Sequence, residues 1–235
     1  MRFQTELVPA RLLRRYKRFL ADCVLEQSGA EITAHCANPG SMMGLAEPGT
    51  RVWLEPNDDP KKKLKYGWRL VDHENGHFTG VDTSVANRAL KSALLAREIP
   101  AFEQYSLVRP EVKYGQNSRI DFLLSEPGLP DLYVEVKSVT LCRDTGHAEF
   151  PDSVTARGAK HLSELAAMRD AGHRALMLYL VQRTDCSTFG LARDIDPTYA
   201  AAYDTAAGKG VEILCLGTNI SPKGVTVSEP LCINI

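Results

Sequence analysis

Three residues of this chain have the types and spacing for chemistry: Asp121, Glu135 and Lys137. They lie in Arg119-Ile120-Asp121-Phe122-Leu123-Leu124 and in Tyr133-Val134-Glu135-Val136-Lys137. Along a strand, alternate side chains point the same way. Glu135 and Lys137 therefore share one face, and Val134, Val136 and Val139 are expected on the other. Arg119 and Asp121 share a face of the preceding strand. The connection, Ser125 to Asp131, holds Pro127-Gly128 and Pro130 and reads as a turn. The strands are then antiparallel neighbours, with Asp121 facing Glu135 across the ladder. Two adjacent carboxylates repel one another, and a divalent cation relieves that cost. Mg²⁺ (or Mn²⁺) takes hard oxygen ligands, typically one or two carboxylates with water and substrate phosphate. Such an ion stabilises charge on a phosphodiester and acidifies the attacking water. Lys137 is placed to orient that water or to neutralise a phosphate oxygen. The same spacing also describes an exposed sheet face with a cross-strand charge cluster. Spacing alone leaves both readings open.

The elements that must position these residues are legible around them. Strands are expected at about 108–114, 119–124 and 132–139. Before them, Ser84 caps a helix from Val85 to about Glu98, with Val85, Ala89, Leu90, Ala93 and Leu94 at helical spacing. Ile99-Pro100 ends it. A second helix runs from about Val154 to Ala171, and a third from about Pro197 to Ala207. The strand Ala175–Val181 is nearly all apolar, so it belongs in the middle of a sheet covered on both faces. Another strand follows at 211–216. Residues 81–235 thus read as an α/β domain with a mixed sheet. Residues 1–80 hold short strands, such as 31–36, 50–55 and 68–71, separated by Asn38-Pro39-Gly40, Glu47-Pro48-Gly49 and Asn57-Asp58-Asp59-Pro60. That is the pattern of a small barrel or sandwich.

Further signals surround this frame. Arg157, Lys160, His161 and Glu164 fall at i, i+3, i+4 and i+7, one helix stripe. The stripe is either a solvated face or the border of the metal site. In the second case Lys160 touches a scissile phosphate and Arg157 clamps the backbone. Asn87 and Glu98, on the first helix, are further candidates to hold or position a metal. His73-Glu74-Asn75-Gly76-His77 matches the letters of a zinc-protease motif, but that chemistry needs one helix face. Asn75-Gly76 between apolar strands is a hairpin signal instead. Arg14, Arg15, Lys17 and Arg18 alternate with Tyr16 and Phe19, and Lys61, Lys62 and Lys63 precede Tyr66 and Trp68. Interleaved cations and rings suit a groove that tracks a nucleic-acid strand. The rings can equally be barrel core.

More of the chain extends the pattern: Glu111-Val112-Lys113-Tyr114-Gly115, Asn117-Ser118-Arg119-Ile120-Asp121, Phe150-Pro151-Asp152, Thr155-Ala156-Arg157-Gly158-Ala159-Lys160-His161-Leu162, and Asn38-Pro39-Gly40-Ser41-Met42 near the front. Together these closely resemble the bacterial and archaeal sugar fermentation stimulation protein A family, over nearly the whole chain. Asp121 with Glu135-Val136-Lys137 also resembles the PD-(D/E)XK nuclease signature. The resemblance implies an N-terminal OB-like barrel, a C-terminal PD-(D/E)XK restriction-endonuclease-like domain and nonspecific DNA binding. It also implies a regulatory part in sugar (maltose) metabolism, through transcription. Whether such a protein cuts nucleic acid or only binds it, and whether the polymer is DNA or RNA, stays open at this level.

Composition bounds the rest. The chain has 235 residues, a net charge of −1 and 44% hydrophobic residues, an ordinary globular balance. The basic bias is local: residues 1–80 carry 12 basic and 10 acidic side chains, the remainder 16 and 19. No apolar run approaches the ~20 residues that cross a bilayer, and the first residues lack the apolar core of a secretory signal. A cytoplasmic protein without a membrane partner is expected. The six scattered cysteines are then free thiols.

Overall fold

The structure is a computed structural model that describes residues 1–115 and 118–235. Six strands form the first half: β1 (Val8–Tyr16), β2 (Leu20–Leu25), β3 (Glu31–Cys36), β4 (Arg51–Pro56), β5 (Tyr66–Asp72) and β6 (Phe78–Gly80). Their order is β3-β2-β1-β4-β5-β6, and a parallel β3–β5 pairing closes the first five into a barrel. Alternate residues fill it: Ala10 and Leu12, Ala21 and Cys23, Ala34 and Cys36, Val52 and Leu54 are all fully buried. The small alanines leave room for Trp68, which is also fully buried and donates its Nε1–H to the Leu70 carbonyl at 3.0 Å. The other rings divide. Trp53 is half-buried and donates to Asp72, and Phe19 is exposed and stacks on His35. His73 to His77 forms the β5–β6 turn, closed by His73 N–H on the His77 carbonyl at 3.1 Å. Glu74 and Gly76 there have φ of 56° and 90°, so no helix face exists for zinc.

The second half starts with α1 (Ser84–Leu95), then β7 (Leu107–Tyr114), β8 (Ser118–Ser125), β9 (Leu132–Val139), β10 (Leu141–Asp144), β11 (His147–Phe150), α2 (Ala156–Asp170), β12 (Arg174–Val181), β13 (Thr188–Leu191), α3 (Pro197–Gly208), β14 (Glu212–Ser221), β15 (Gly224–Pro230) and β16 (Cys232–Ile233). The main sheet has the order β15-β14-β12-β9-β8-β7 and is mixed: β14, β12 and β9 run parallel, and both edges are antiparallel. β12 lies inside it and is buried on both faces, as its apolar run requires. On one face α1 packs Leu90 against Val134, Val136 and Leu178. On the other, α2 and α3 pack Leu162, Leu165 and Tyr199 against Val139, Tyr179 and Val181. Val139 therefore sits with Glu135 and Lys137, not with Val134 and Val136 as expected. Its odd position in the alternation decides that. Thr155 caps α2 through Gly158 N–H, and Asp196 caps α3 through Tyr199 N–H. β10, β11, β13 and β16 make a second small sheet that the sequence pattern did not suggest.

The halves are tied together. Gly80 N–H donates to the Gln182 carbonyl at 2.8 Å, and Asn38 Nδ2 to the Val81 carbonyl at 3.1 Å. Arg69 reaches Glu55 in the barrel and Asp82 beyond it, both at 2.7 Å. The loop after β3 meets Asp152, whose Oδ2 accepts from Met42 N–H at 3.3 Å. Gly40 is packed against the same carboxylate: a Cβ there would fall 2.3 Å from Oδ2. Gly40→Ala is expected to destabilise the protein by about 1 kcal/mol, the worth of the hydrogen bond it displaces. Asp152→Ala should cost a similar amount. The double variant, followed by urea denaturation, should cost no more than either single change. Additive losses would mean that the two residues do not share this contact.

Candidate metal and nucleic-acid site

The site lies where β8 and β9 part. Their ladder pairs Leu124 with Leu132, Leu123 with Tyr133 and Phe122 with Val134, and stops there. Asp121 and Glu135 are the next pair in that register. Instead of continuing the ladder, Asp121 Oδ2 accepts the Val136 N–H at 2.8 Å. Its Oδ1 accepts from Asn87 Nδ2, on α1, at 2.7 Å. Across the fork, Glu135 is 3% exposed and faces α2. Its Oε1 takes Lys137 Nζ at 2.9 Å and also the His161 Nδ1. Arg157 Nε–H donates to His161 Nε2 at 3.2 Å. An arginine N–H can only donate, so Nε2 is the acceptor and Nδ1 carries the proton toward Glu135. Lys160 Nζ reaches Ser118 Oγ at 3.1 Å, and Ser118 donates to Glu164 Oε1 at 2.8 Å.

Electrostatics separate the two carboxylates. Burial, followed by the neighbouring Glu135 charge, raises Asp121 to about 6 against the bonds from Val136 and Asn87. For Glu135, burial pushes upward, but the His161 bond and the Lys137 charge outweigh it and hold the group low. Burial also raises the Tyr114 phenol, with Glu135, Glu164 and Asp121 adding to it.

The residues fit a hard cation. Glu135 Oε2 is buried and has no hydrogen-bond partner among the described residues. The two Asp121 oxygens accept one described bond each, which leaves each a lone pair. No group of three or more His, Cys, Asp or Glu forms a metal cage among the described residues. Two carboxylates completed by water and phosphate suit a hard divalent cation rather than a closed zinc site.

The remaining expected residues scatter. Arg15 and Arg18 both line a cleft between the barrel and the α/β domain. Arg15 is occupied, however: its guanidinium donates to the carbonyls of Arg18, Asn38, Gly40 and Ser41. Arg14 is held by Asp22 at 2.9 Å and stacks on Tyr16. Lys17, Lys61, Lys62 and Lys63 are exposed and do not line the cleft, and exposed Arg119 contacts the Glu111 carbonyl. Glu98 lies beyond the end of α1 and borders a separate groove with Leu214 and Val227, so it is no metal ligand. Asn87 and His161 matter more than their types announced. In the sequence, His161 is marked by its place on the α2 stripe and in the segment Thr155 to Leu162.

A closed five-strand OB barrel joined to a restriction-endonuclease-like mixed-sheet domain is the class of protein this architecture defines. The chain belongs to the sugar fermentation stimulation protein family: residues 13–81 match the model described as SfsA N-terminal OB domain, and residues 84–224 the sugar fermentation stimulation protein RE domain. It is 77% identical to the sugar fermentation stimulation protein homolog of Roseobacter denitrificans, over 235 residues and all of both chains. It is also 77% identical to that of Ruegeria pomeroyi, over 98% of this chain and 100% of that one. Among solved structures it is similar to Pyrococcus furiosus SfsA in complex with Ca²⁺, with 26% identity and a TM-score of 0.88 over 100% of this chain and 98% of that one. Among the described residues, no helix is long and apolar enough to cross a membrane.

Proposed function

We propose that this protein binds nucleic acid without sequence preference and hydrolyses phosphodiester bonds with a divalent cation. The observation that carries the reading is the buried, unpartnered Glu135 Oε2 beside an Asp121 held by Asn87 and Val136. The archaeal relative solved with Ca²⁺ supports it. Asp121 and Glu135 are the residues that would hold Mg²⁺ or Mn²⁺. When bound, the ion would supply Lewis acidity at the phosphate and an acidified water. Lys137, anchored on Glu135, sets an ammonium beside the reacting phosphate, and Lys160 on α2 adds a second cation. His161 keeps Glu135 oriented. Cations on the barrel read phosphate rather than base edges, so binding is sequence-independent and weakens with salt. Membership of the sugar fermentation stimulation family suits a second reading, a nucleic-acid-binding protein with a part in sugar use that keeps the site but does not cut.

The deciding experiment incubates full-length protein with end-labelled DNA or RNA and Mn²⁺ or Mg²⁺. Cleavage should appear, and Glu135→Gln should slow it by about 10³-fold, equivalent to several kcal/mol of lost charge stabilisation. Binding without cleavage in every metal leaves the regulator reading. Cleavage that Glu135→Gln does not touch removes this site from the reaction.

A further inference from the structure

The cleft between the barrel and the α/β domain has a volume of about 880 Å³ and opens onto the fork. Its inner surface includes Asn87, Val136 and Lys137. Each of the three touches a site carboxylate: Asn87 and Val136 N–H hold Asp121, and Lys137 holds Glu135. The reacting groups are recessed. Glu135 is 3% exposed and the Lys137 side chain 12%. On one side the cleft is walled by the loop after β3, which spans from the barrel to Asp152. Arg15 clamps that loop from the barrel side through the carbonyls of Asn38, Gly40 and Ser41. The wall is therefore fastened at both ends.

A duplex is a stiff rod, with a persistence length of roughly 150 base pairs, and keeping its base pairs prevents it from lowering one strand into a recess. A single strand bends freely. The volume lies in the range, roughly 300–1,000 Å³, that encloses a small ligand, so a few unpaired nucleotides fit it and a paired helix does not. At the cleft's rim stands Arg18. It is exposed, its φ is 63°, and among the described residues its side chain has no carboxylate partner. A guanidinium so placed is free to take a phosphate in two hydrogen bonds.

We infer that this cleft takes a single polynucleotide strand, such as an overhang, flap or frayed end, and excludes intact duplex. The inference rests on the proposed function, because it assigns a substrate form to that site. The shared chemistry is an unpaired phosphodiester chain, from DNA or RNA.

The test is fluorescence anisotropy of the full-length protein in EDTA, so that binding is read without cleavage. The probes are labelled oligothymidylate, oligouridylate and a blunt-ended duplex of equal length. At least one single-stranded probe should bind roughly tenfold or more tightly than the duplex, and the tighter of the two identifies the polymer. Arg18→Gly keeps the left-handed backbone at no steric cost and removes the charge. It should weaken single-strand binding by about tenfold, the size of a lost charge-assisted hydrogen bond. Arg18→Lys should restore most of it. Duplex binding equal to both single strands overturns the inference, as does single-strand binding indifferent to Arg18→Gly. If no nuclease activity is found, this binding preference still stands or falls by itself. If the enzyme with Mn²⁺ nicks covalently closed, relaxed duplex, the nuclease reading survives and this inference fails.

Discussion

Asp121→Asn is expected to make the cation-free protein more stable and at the same time to abolish its response to divalent cations. Ordinary aspartate ionises near 3.8, whereas burial beside Glu135 raises Asp121 to about 6. The folded protein therefore holds this proton more tightly than the unfolded chain does. Stability from the protonated group is fully present below pH about 3.8 and is lost as pH rises through about 6. At neutral pH the ionised, cation-free site costs about 3 kcal/mol, from roughly 1.4 kcal/mol per pKa unit. Asparagine removes the charge but brings a single acceptor oxygen. If that oxygen faces Val136 N–H, the Asn87 amide must turn to accept from the new NH₂, which returns part of the gain. A net increase of about 1–2 kcal/mol remains, or a melting temperature higher by roughly 3–6 °C in EDTA for a chain of this size. Saturating Ca²⁺ or Mn²⁺ reverses the ranking. The parent protein gains about 2.7 kcal/mol at a hundredfold excess over its dissociation constant, and the variant gains little. Calorimetric melts in EDTA and in metal at pH 7 would show the two curves crossing. A variant less stable than its parent in EDTA would mean that Asp121 is not strained by its neighbours.

The placement of the site's central residues is legible in the sequence, for a definite reason. Asp121, Glu135 and Lys137 lie on strands whose alternation is strong, and one buried register fixes where each side chain goes. β12 was equally plain, because an unbroken apolar run has one place in a mixed sheet. What stayed hidden depends on contacts distant in sequence. The parallel β3–β5 pairing that closes the barrel joins strands separated by β4, and periodicity carries no information on pairing partners. β10, β11, β13 and β16 are four residues or fewer, too short to establish a period. Composition marks the basic residues but does not reveal their occupancy. On β1, Arg15 spends its donors on loop carbonyls and Arg14 on Asp22, while Arg18, in the turn between β1 and β2, is left with its side chain at the cleft. The apolar period of α1 extends to Glu98 in the sequence, but the helix ends at Leu95 and Glu98 borders the groove with Leu214 and Val227. Asn87, one helical turn from the start of α1, needed a view of the fork to be seen as the partner of Asp121.

His161→Ala should weaken cation binding by about 10–100-fold, the usual consequence of losing a residue that orients a metal ligand. The argument begins with burial. His161 is 5% exposed, and its two nitrogens have different tasks. Nε2 accepts from Arg157 at 3.2 Å, which leaves Nδ1–H for Glu135 Oε1. Lys137 Nζ lies 3.1 Å from the same ring nitrogen and 2.9 Å from the same carboxylate oxygen. Two donors on Oε1 fix the carboxylate and leave Oε2, the orphaned oxygen, turned away for a cation. Alanine removes one donor and opens a void, so Glu135 is free to rotate and Lys137 to follow it. The amide nitrogen of asparagine can stand where Nδ1 stood, and His161→Asn should recover a substantial part of the affinity. Glutamine places its nitrogen one methylene further out and should recover less. Titration calorimetry with Mn²⁺ on the three variants reads this order directly. A structural role alone predicts a different pattern, with affinity following the melting temperature and no advantage for asparagine. Arg157→Leu is the companion change: it leaves Nε2 without its donor, lets the ring exchange tautomers and should cost a smaller part of the same affinity. If Arg157→Leu weakens nucleic-acid binding but leaves Mn²⁺ affinity intact, Arg157 acts on phosphate and not through His161.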